Sequence, residues 1–312
     1  MSTFPDGLFE YGGRPVSGRY ECVWGGKTYF VDYDNGRSGG TGTRASDAGK
    51  YLDDALSAAS AWDTIYVRGR TTADTDGGDP YYILPSSTSN FATTTSQYGL
   101  SIIGTQIGRG IGGPYVSTQI RGSATANATP AIELEAPGMN LENFCIRRGG
   151  STVAAVQIKG TGFGTTVSNC TFQKVSTYPA FLTTDAWYTG VYDCTFQSCA
   201  LGVVFHAATT PPQNSVVSGC HFQGLVSEIS ADIYVNATGT GLVNALIKDC
   251  YFNHAVPTGG KNKYVVVDAT STGLIANCYT GAADATVADN MTLNGILYSH
   301  IWGDGVGPFV DA

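Results

Sequence analysis

Acidic side chains are the residues in this sequence with the clearest capacity for chemistry. Hydrolysis of a glycosidic bond uses two carboxylates that lie about 5–5.5 Å or about 6.5–9.5 Å apart. Six acidic residues are candidates for such a pair: Asp185, Asp193, Glu228, Asp232, Asp249 and Asp268. Asp193 and Asp249 recur at one position of a sequence repeat, which favours turn residues for both. Asp232 and Asp268 stand at opposite ends of their predicted strands and are not expected to share a face. The other carboxylates show no obvious pairing.

Other reaction types have weaker support. The segment Gly36–Gly40 matches the Gly-x-Ser-x-Gly pattern of a serine nucleophile, but no predicted helix follows it directly, as a nucleophile elbow requires. A lyase needs Lys or Arg side chains that stabilise an enolate. Beyond Lys159, the region from 160 to 300 holds four such side chains: Lys174, Lys248, Lys261 and Lys263. The histidines fall at different positions of the repeat, which indicates surface or turn residues rather than bases: His206, His221, His254 and His300.

One acidic cluster could hold a metal ion. Asp74, Asp76 and Asp79 could ligate Ca²⁺ through their carboxylate oxygens. The surrounding sequence lacks a twelve-residue EF-hand loop, and a cluster of this kind is typical of a solvated loop. The sequence therefore predicts no catalytic, cofactor-binding or metal-ligating residue and no cofactor. Exposed Tyr, Trp and Thr side chains could bind sugar or pack against sister chains.

The composition indicates a β-rich scaffold. The 312 residues include 41 glycines, 42% are hydrophobic and 13% are charged, so neither a disordered chain nor a helical bundle fits. The formal charge of −8 excludes generic nucleic-acid binding through a basic face. No stretch approaches the ~18 continuous apolar residues of a membrane span. The N-terminal residues lack a secretory signal, so we expect a chain that is made in the cytosol.

Self-similarity is the main structural signal in the sequence. Six segments align: Asn143-Phe144-Cys145-Ile146, Asn169-Cys170-Thr171-Phe172, Asp193-Cys194-Thr195-Phe196, Gly219-Cys220-His221-Phe222, Asp249-Cys250-Tyr251-Phe252 and Asn277-Cys278-Tyr279. Their second positions are separated by 26, 24, 26, 30 and 28 residues. A second set of short apolar runs lies about halfway between them: 131–134, 156–158, 181–182, 203–205, 233–235 and 265–267. Two or three strands per repeat of this length predict a parallel β-solenoid.

The cysteines of the repeat have a structural interpretation. They occupy one position on successive coils, so they are expected to stack inside the solenoid as small hydrophobes: Cys170, Cys194, Cys220, Cys250 and Cys278. Disulfides are not expected without a secretory signal. A zinc site is not expected because the sequence has no Cys-x-x-Cys pair.

The N-terminal third has a different organisation. A strand at 29–33 precedes a glycine-rich loop, a helix from Ser46 or Asp47 to about Ala61, and a strand at 64–67. A helix there would cover the open end of the solenoid, where unpaired strand edges invite aggregation. We therefore expect four units: an arm or docking segment at 1–27, a cap at 28–70, a parallel β-helix at 71–300 and a tail at 301–312.

This layout resembles the right-handed parallel β-helix proteins of the pectin-lyase-like superfamily. The resemblance rests on Tyr29-Phe30-Val31-Asp32, the Ala-rich helix, Asp63–Val67, Ser101–Gly104 and the Cys-containing coils. It implies an all-β fold: a right-handed parallel β-helix with an N-terminal capping helix and an extended N-terminal arm. The Gly-His-Gly and Arg-x-Lys motifs of polygalacturonase-like hydrolases are absent. For the Arg-x-Pro-x-x-Arg motif of pectate lyases, Arg14-Pro15 with Arg19 is a near miss.

The opening segment 4–13 resembles β-helix proteins of tailed bacteriophages, which implies a virion structural protein that forms a trimer. We therefore expect a capsid decoration or head spike subunit on the particle surface, without enzymatic activity. Its expected partners are the major capsid protein or other virion proteins, sister chains in a homotrimer and host surface glycans, with no nucleic acid and no membrane span. The alternatives are a tailspike-type polysaccharide depolymerase (a glycoside hydrolase or lyase) and a glycan-binding receptor adhesin.

Overall fold

A computed structural model describes most of the chain. The described residues are 10–11, 14–15, 26–70, 82–83, 90–105, 118–121, 130–147, 154–173, 175, 178–223, 231–237, 241–253, 263–267, 270–281, 291–303 and 306–308. They form an all-β, right-handed parallel β-helix, so the predicted fold class is confirmed. No helix in this part of the chain is long and apolar enough to span a bilayer.

The chain alternates between two large sheets. The helical elements are η1 (Ala45–Asp47) and α1 (Leu52–Ala58). The strands are β1 (Glu10–Tyr11), β2 (Arg14–Pro15), β3 (Thr28–Asp32), β4 (Thr64–Arg68), β5 (Tyr82–Ile83), β6 (Phe91–Ala92), β7 (Ser101–Gly104), β8 (Thr118–Arg121), β9 (Ile132–Leu134), β10 (Asn140–Glu142), β11 (Phe144–Arg147), β12 (Val156–Ile158), β13 (Thr166–Ser168), β14 (Thr171–Gln173), β15 (Pro179–Thr184), β16 (Gly190–Tyr192), β17 (Thr195–Gln197), β18 (Leu201–Ala207), β19 (Val216–Ser218), β20 (His221–Gln223), β21 (Ala231–Ala237), β22 (Ala245–Lys248), β23 (Tyr251–Asn253), β24 (Lys263–Val267), β25 (Gly273–Thr280), β26 (Met291–Thr292), β27 (Leu297–Gly303) and β28 (Val306–Pro308).

The sheets follow the two predicted sets of strands. Sheet 2, as we name it, comprises β6, β9, β12, β15, β18, β21, β24 and β26. Sheet 1 comprises the other strands except β1 and β2, which pair antiparallel with each other. Successive coils pair in parallel: β12 with β15 in sheet 2, and β14 with β17 in sheet 1. Each coil is therefore hydrogen-bonded to the coils directly above and below it.

Stacked side chains fill the interior of the helix. Phe172, Phe196, Phe222 and Phe252 lie on four successive coils, with centroid separations of 4.8, 4.8 and 5.1 Å that match the spacing of parallel strands. The predicted cysteine stack is also present and buried, as reduced thiols: Cys170, Cys194, Cys220, Cys250 and Cys278. Burial raises the pKa of the Cys194 thiol well above its usual value. These thiols therefore pack as small hydrophobes.

The polar residue before each cysteine makes a corner in sheet 1. Its backbone is left-handed on successive coils, with φ between 51° and 66°: Asn143, Asn169, Asp193, Gly219, Asp249 and Asn277. Gly has no Cβ to clash in this conformation, and Asn and Asp adopt it more readily than other residues. The corner therefore explains the Asn/Asp/Gly position of the repeat, and the interpretation of Asp193 and Asp249 as turn residues is confirmed.

The capping segment differs from its prediction in one respect. The predicted helix from Ser46 or Asp47 to Ala61 is wrong at both ends, because α1 covers Leu52–Ala58 alone. Gly49 instead pairs with β3: its N–H donates to the Phe30 carbonyl oxygen (2.9 Å), and its carbonyl oxygen accepts from the Asp32 N–H (2.9 Å). These bonds cover part of the β3 edge, so η1 and α1 stay separate instead of forming one helix. Most of the predicted arm at 1–27 lies outside the described residues.

Candidate functional site

The candidate site is built on the turn that leads into the first strand of sheet 1 on each coil, here called the ladder turn. One residue of each ladder turn has a left-handed backbone, with φ between 52° and 72°: Trp62, Gly99, Gly138, Gly164, Tyr188, Asn214 and Asn244. Hydrogen bonds join these positions along the helix. The Gly164 N–H, for example, donates to the Trp187 carbonyl oxygen (2.8 Å), and the Tyr188 N–H to the Gln213 carbonyl oxygen (2.7 Å). The ladder turn thus places equivalent residues in a row parallel to the helix axis.

Two aromatic residues occupy ladder positions where the other coils have Gly or Asn. A left-handed backbone costs a residue with a Cβ atom roughly 1–2 kcal/mol, and it is rare for bulky side chains. Tyr188 nevertheless has φ +55° and Trp62 has φ +65°. Their side chains are 59% and 45% exposed, so burial does not account for the aromatic residues. Strained residues of this kind cluster at functional sites.

The position directly before the ladder residue adds further exposed aromatics. Tyr98, Phe163 and Trp187 occupy this position on three coils, and Phe163 and Trp187 are 49% and 41% exposed. The Tyr98 ring also contacts the Trp62 ring edge-on, with the centroids 5.7 Å apart. We call these side chains the aromatic ridge: Trp62, Tyr98, Phe163, Trp187 and Tyr188. Single exposed aromatics are ordinary, but a row of them on one edge is typical of a binding surface.

A groove of about 630 Å³ contains the central part of this ridge. It is lined by Thr95, Glu135, Lys159, Gly160, Thr161, Phe163, Asp185, Trp187, Thr209 and Thr210. These residues come from five successive coils, between the end of each sheet 2 strand and the ladder position. Four spacings of about 4.8 Å give the groove a length of about 19 Å along the axis. An extended ligand could therefore contact several coils at once.

Lys159 connects two carboxylates at one wall of the groove. Its Nζ lies 2.5 Å from Glu135 Oε1 and 2.8 Å from Glu133 Oε1. The hydrogen bonds to these carboxylates raise the pKa of Lys159, so its ammonium stays charged and is unsuited to act as a base. Gly162 permits the tight turn that follows, because a Cβ there would lie 2.9 Å from the Leu134 carbonyl oxygen. This turn leads directly to Phe163.

Asp185 holds the opposite wall in place. Its carboxylate accepts hydrogen bonds from the N–H groups of Ala208 (2.7 Å), Thr209 (3.1 Å) and Thr210 (3.1 Å), and from Thr209 Oγ1 (2.8 Å). Partial burial raises the pKa of Asp185, but the hydrogen bonds from Thr209, Thr210 and Ala208 outweigh this effect and lower the pKa below its usual value. The carboxylate is therefore ionised at neutral pH and is not a general acid.

Six acidic residues are predicted as catalytic candidates, and the structure separates the four of them that it describes. Asp185 is the one that lines the groove. Asp193 and Asp249 lie at corners of sheet 1, and Asp232 is buried in β21. Glu228 and Asp268 lie outside the described residues. The structure thus brings no two of the described candidates together in the groove.

The histidines that the structure describes do not line the groove. His206 Nδ1 lies 3.2 Å from the Asn236 carbonyl oxygen, the His221 ring lies 5.7 Å from the Tyr251 ring, and His300 is a left-handed residue of β27. His254, Lys174, Lys261 and the cluster of Asp74, Asp76 and Asp79 fall outside the described residues. Within the described ranges, His, Cys, Asp and Glu side chains form no group of three that could hold a metal ion.

The sequence interpretation missed the residues that make the groove. Glu135, Phe163 and Trp187 were not among the candidates, although exposed aromatic residues were noted as able to bind sugar. A signal was present in the recurring pairs Tyr98-Gly99, Phe163-Gly164 and Trp187-Tyr188, each of which stands two residues before a strand of sheet 1. The pairs lie on a different part of the coil from the cysteines, so the cysteine alignment did not reveal them.

Comparisons with known proteins relate the chain to others by structure. No protein-family model matches the sequence, and no curated protein matches it. Escherichia coli YbhC is similar in structure at 11% identity, covering 96% of this chain and 91% of that one, with a TM-score of 0.50. The pectate lyase Pel9A is similar at 12% identity, covering 92% and 80%, also with a TM-score of 0.50. Geobacillus virus E2 ORF18 is 12% identical over 82% of this chain and 55% of its own, with a TM-score of 0.44.

These comparisons correct one expectation. The sequence predicts a chain without enzymatic activity. This prediction is wrong, because the same fold is found in an enzyme, the pectate lyase Pel9A. A rhamnogalacturonan lyase is also among the similar structures, at 9% identity over 92% of this chain and 90% of its own, with a TM-score of 0.49. At these identities the comparisons establish the fold: a right-handed parallel β-helix like that of the pectate lyases.

Proposed function

We propose that this chain is a polysaccharide-binding β-helix protein of the tailspike type, which holds a glycan along the groove. The observation that carries the proposal is the pair of exposed rings, Phe163 and Trp187, on adjacent coils of a groove that is otherwise polar. A sugar ring has an apolar face of C–H groups and an edge of hydroxyls. The apolar face packs on an aromatic ring, and the hydroxyls need hydrogen-bonding groups.

The groove supplies both kinds of contact. The rings of Phe163 and Trp187 offer apolar surface, and the hydroxyls of Thr95, Thr161 and Thr210 offer donors and acceptors. Ligand sites commonly combine an apolar lining with a few polar groups that fix orientation. The position of Tyr188 next to Trp187 supports the same proposal, because an aromatic residue is retained there against the backbone preference.

Cleavage of the bound glycan is the second candidate function. Glu133, Glu135 and Asp185 are carboxylates in or beside the groove, the residue type that glycosidases use. Glu135 is paired with Lys159, and Asp185 is occupied by four hydrogen bonds to the 208–210 segment. These contacts support glycan binding, and cleavage is a separate property with its own test. Measuring the reducing ends released from a bound polysaccharide tests cleavage directly.

The location on a phage particle is part of the proposal. The resemblance of segment 4–13 to tailed-phage β-helix proteins supports a spike, or a decoration subunit of the capsid, that assembles as a homotrimer. Cryo-electron microscopy of capsids mixed with the purified chain tests this placement. Regular density on the shell supports a head position, whereas a bare shell directs the search to the tail.

Glycan binding is tested with variants of the ridge. The chain is applied to an array of bacterial surface polysaccharides, and the affinity for the best ligand is measured by calorimetry. We expect Phe163→Ala and Trp187→Ala each to weaken binding about tenfold, which corresponds to ~1.4 kcal/mol. Tyr279→Ala is the matched control, because Tyr279 is similarly exposed but lies on the outer face of sheet 1, on β25. Unchanged affinity in both ridge variants, or no glycan bound, would contradict the proposal.

A further inference from the structure

The charges in the groove bear on which glycans it can take. Three carboxylates lie in or beside it, from Glu133, Glu135 and Asp185, and one ammonium, from Lys159. Lys159 already contacts both glutamates, so its charge is offset within the protein. Asp185 is ionised, because hydrogen bonds to its carboxylate hold its pKa low. The described lining therefore has an excess of negative charge.

We infer that the groove selects glycans without acidic groups and excludes polyuronates; this inference rests on the proposed function. A uronate residue carries a carboxylate where a neutral hexose carries a primary alcohol. Placed near Glu135 or Asp185, that carboxylate meets like charge at short range, and the low-dielectric walls of a groove strengthen the repulsion. A neutral sugar meets no such repulsion, and its hydroxyls can donate hydrogen bonds to the same carboxylates.

The arrangement of hydroxyls favours the same class of ligand. Thr95, Thr161, Thr209 and Thr210 are distributed over three of the five coils of the groove. Thr209 Oγ1 donates a hydrogen bond to Asp185 Oδ2, so the Thr209 oxygen can accept a hydrogen bond from the ligand. A sugar hydroxyl can donate to such an oxygen, whereas an ionised carboxylate cannot. The wall of the groove around Asp185 is thus matched to ligands that donate hydrogen bonds.

The test begins with the glycan that the chain binds most tightly on the array. Its primary alcohols are oxidised to carboxylates, so that the linkages and length are kept and the charge changes. We expect the oxidised glycan to bind at least tenfold more weakly in 50 mM salt. We also expect the difference in affinity between the original and the oxidised glycan to be smaller in 500 mM salt, because salt screens the exposed charges. Both measurements use the unaltered protein, so they do not depend on the folding of a variant.

Variants then test whether the groove carboxylates cause the weaker binding of the oxidised glycan. The double variant Glu133→Gln, Glu135→Gln should reduce the ratio of the affinities for the neutral and the oxidised glycan at least threefold. Asp249→Asn is the matched control and should leave it unchanged, because Asp249 lies at a corner of sheet 1. Equal binding of the two glycans, or an acidic polysaccharide as the tightest ligand, overturns the inference and leaves the proposed function standing. Failure to bind any glycan overturns both.

Discussion

Tyr188 allows a direct test of whether the aromatic ridge is retained at the expense of stability. Its backbone is left-handed, at a ladder position where the neighbouring coils have Gly164 and Asn214. The left-handed conformation costs a residue with a Cβ roughly 1–2 kcal/mol, and the extra flexibility of an unfolded glycine costs roughly 0.5–1 kcal/mol. The side chain is mostly exposed, so its removal sacrifices little buried area. Tyr188→Gly should therefore raise the free energy of unfolding by up to about 1.5 kcal/mol.

Urea unfolding measures this change as a shift of the midpoint at a constant slope. If unfolding is irreversible, the rate of unfolding at a fixed urea concentration replaces the midpoint. Tyr188→Asn should act in the same direction, and Asn214→Tyr, the reverse exchange one coil away, should lower stability. Tyr188→Gly should also weaken glycan binding while it stabilises the fold. A loss of stability in both Tyr188 variants would refute the idea that the backbone is strained there.

Three further predictions concern the core, the groove and the thiols. Phe196→Ala should lower the free energy of unfolding by about 3–5 kcal/mol, because it empties a position inside the phenylalanine stack, whereas Tyr279→Ala should change it by less than about 0.5 kcal/mol in the same urea assay. Asp185→Asn should be less stable than the natural chain at pH 7, because the folded state lowers the pKa of Asp185. The stability difference should be full above the unfolded pKa of about 3.9 and disappear as the pH falls through the folded pKa. Urea midpoints measured from pH 7 to pH 2 check this, and a difference independent of pH would contradict it. Cys22 lies outside the described residues and is replaced in a Cys22→Ser variant, which a thiol reagent at pH 8 should label only after denaturant is added. The seven other cysteines, which are the five of the stack with Cys145 and Cys199, are buried, and burial raises the pKa of the Cys199 thiol to about 12; rapid labelling of the native protein would contradict this.

The fold could be predicted from the sequence because the core repeats. Cys170, Cys194 and Cys220 mark one inward position on three coils, and the phenylalanines two residues later mark the next. An inward position admits few residue types, so its identity persists from coil to coil. Outward positions vary freely, and for this reason the sequence pattern is strong for the core and weak for the surface.

The helix and the groove were harder to predict for physical reasons. The helix expected from Ser46 or Asp47 is interrupted between η1 and α1, because the edge of β3 needs hydrogen-bond partners and Gly49 supplies them. Local propensity is overridden there by a tertiary requirement. The groove combines Glu135, Phe163 and Asp185 from three successive coils, which the stacking of β9, β12 and β15 brings into one place. Some of its members recur at the coil spacing, since Phe163 and Trp187, like Asp185 and Thr209, are 24 residues apart. They lie on a different part of the coil from the cysteines, so an alignment on the cysteines does not include them.

The ladder turn has a consequence for how such a protein can change over evolutionary time. Each coil bonds only to its two neighbours and contributes one ladder position. An in-frame duplication of residues 164–187 would therefore insert one complete coil, with both ends of the helix and the capping segment left as they are. The groove would grow by about 4.8 Å. The length of ligand that the proposed groove can hold is thus set by the number of coils, and a single recombination event can alter it without a new fold.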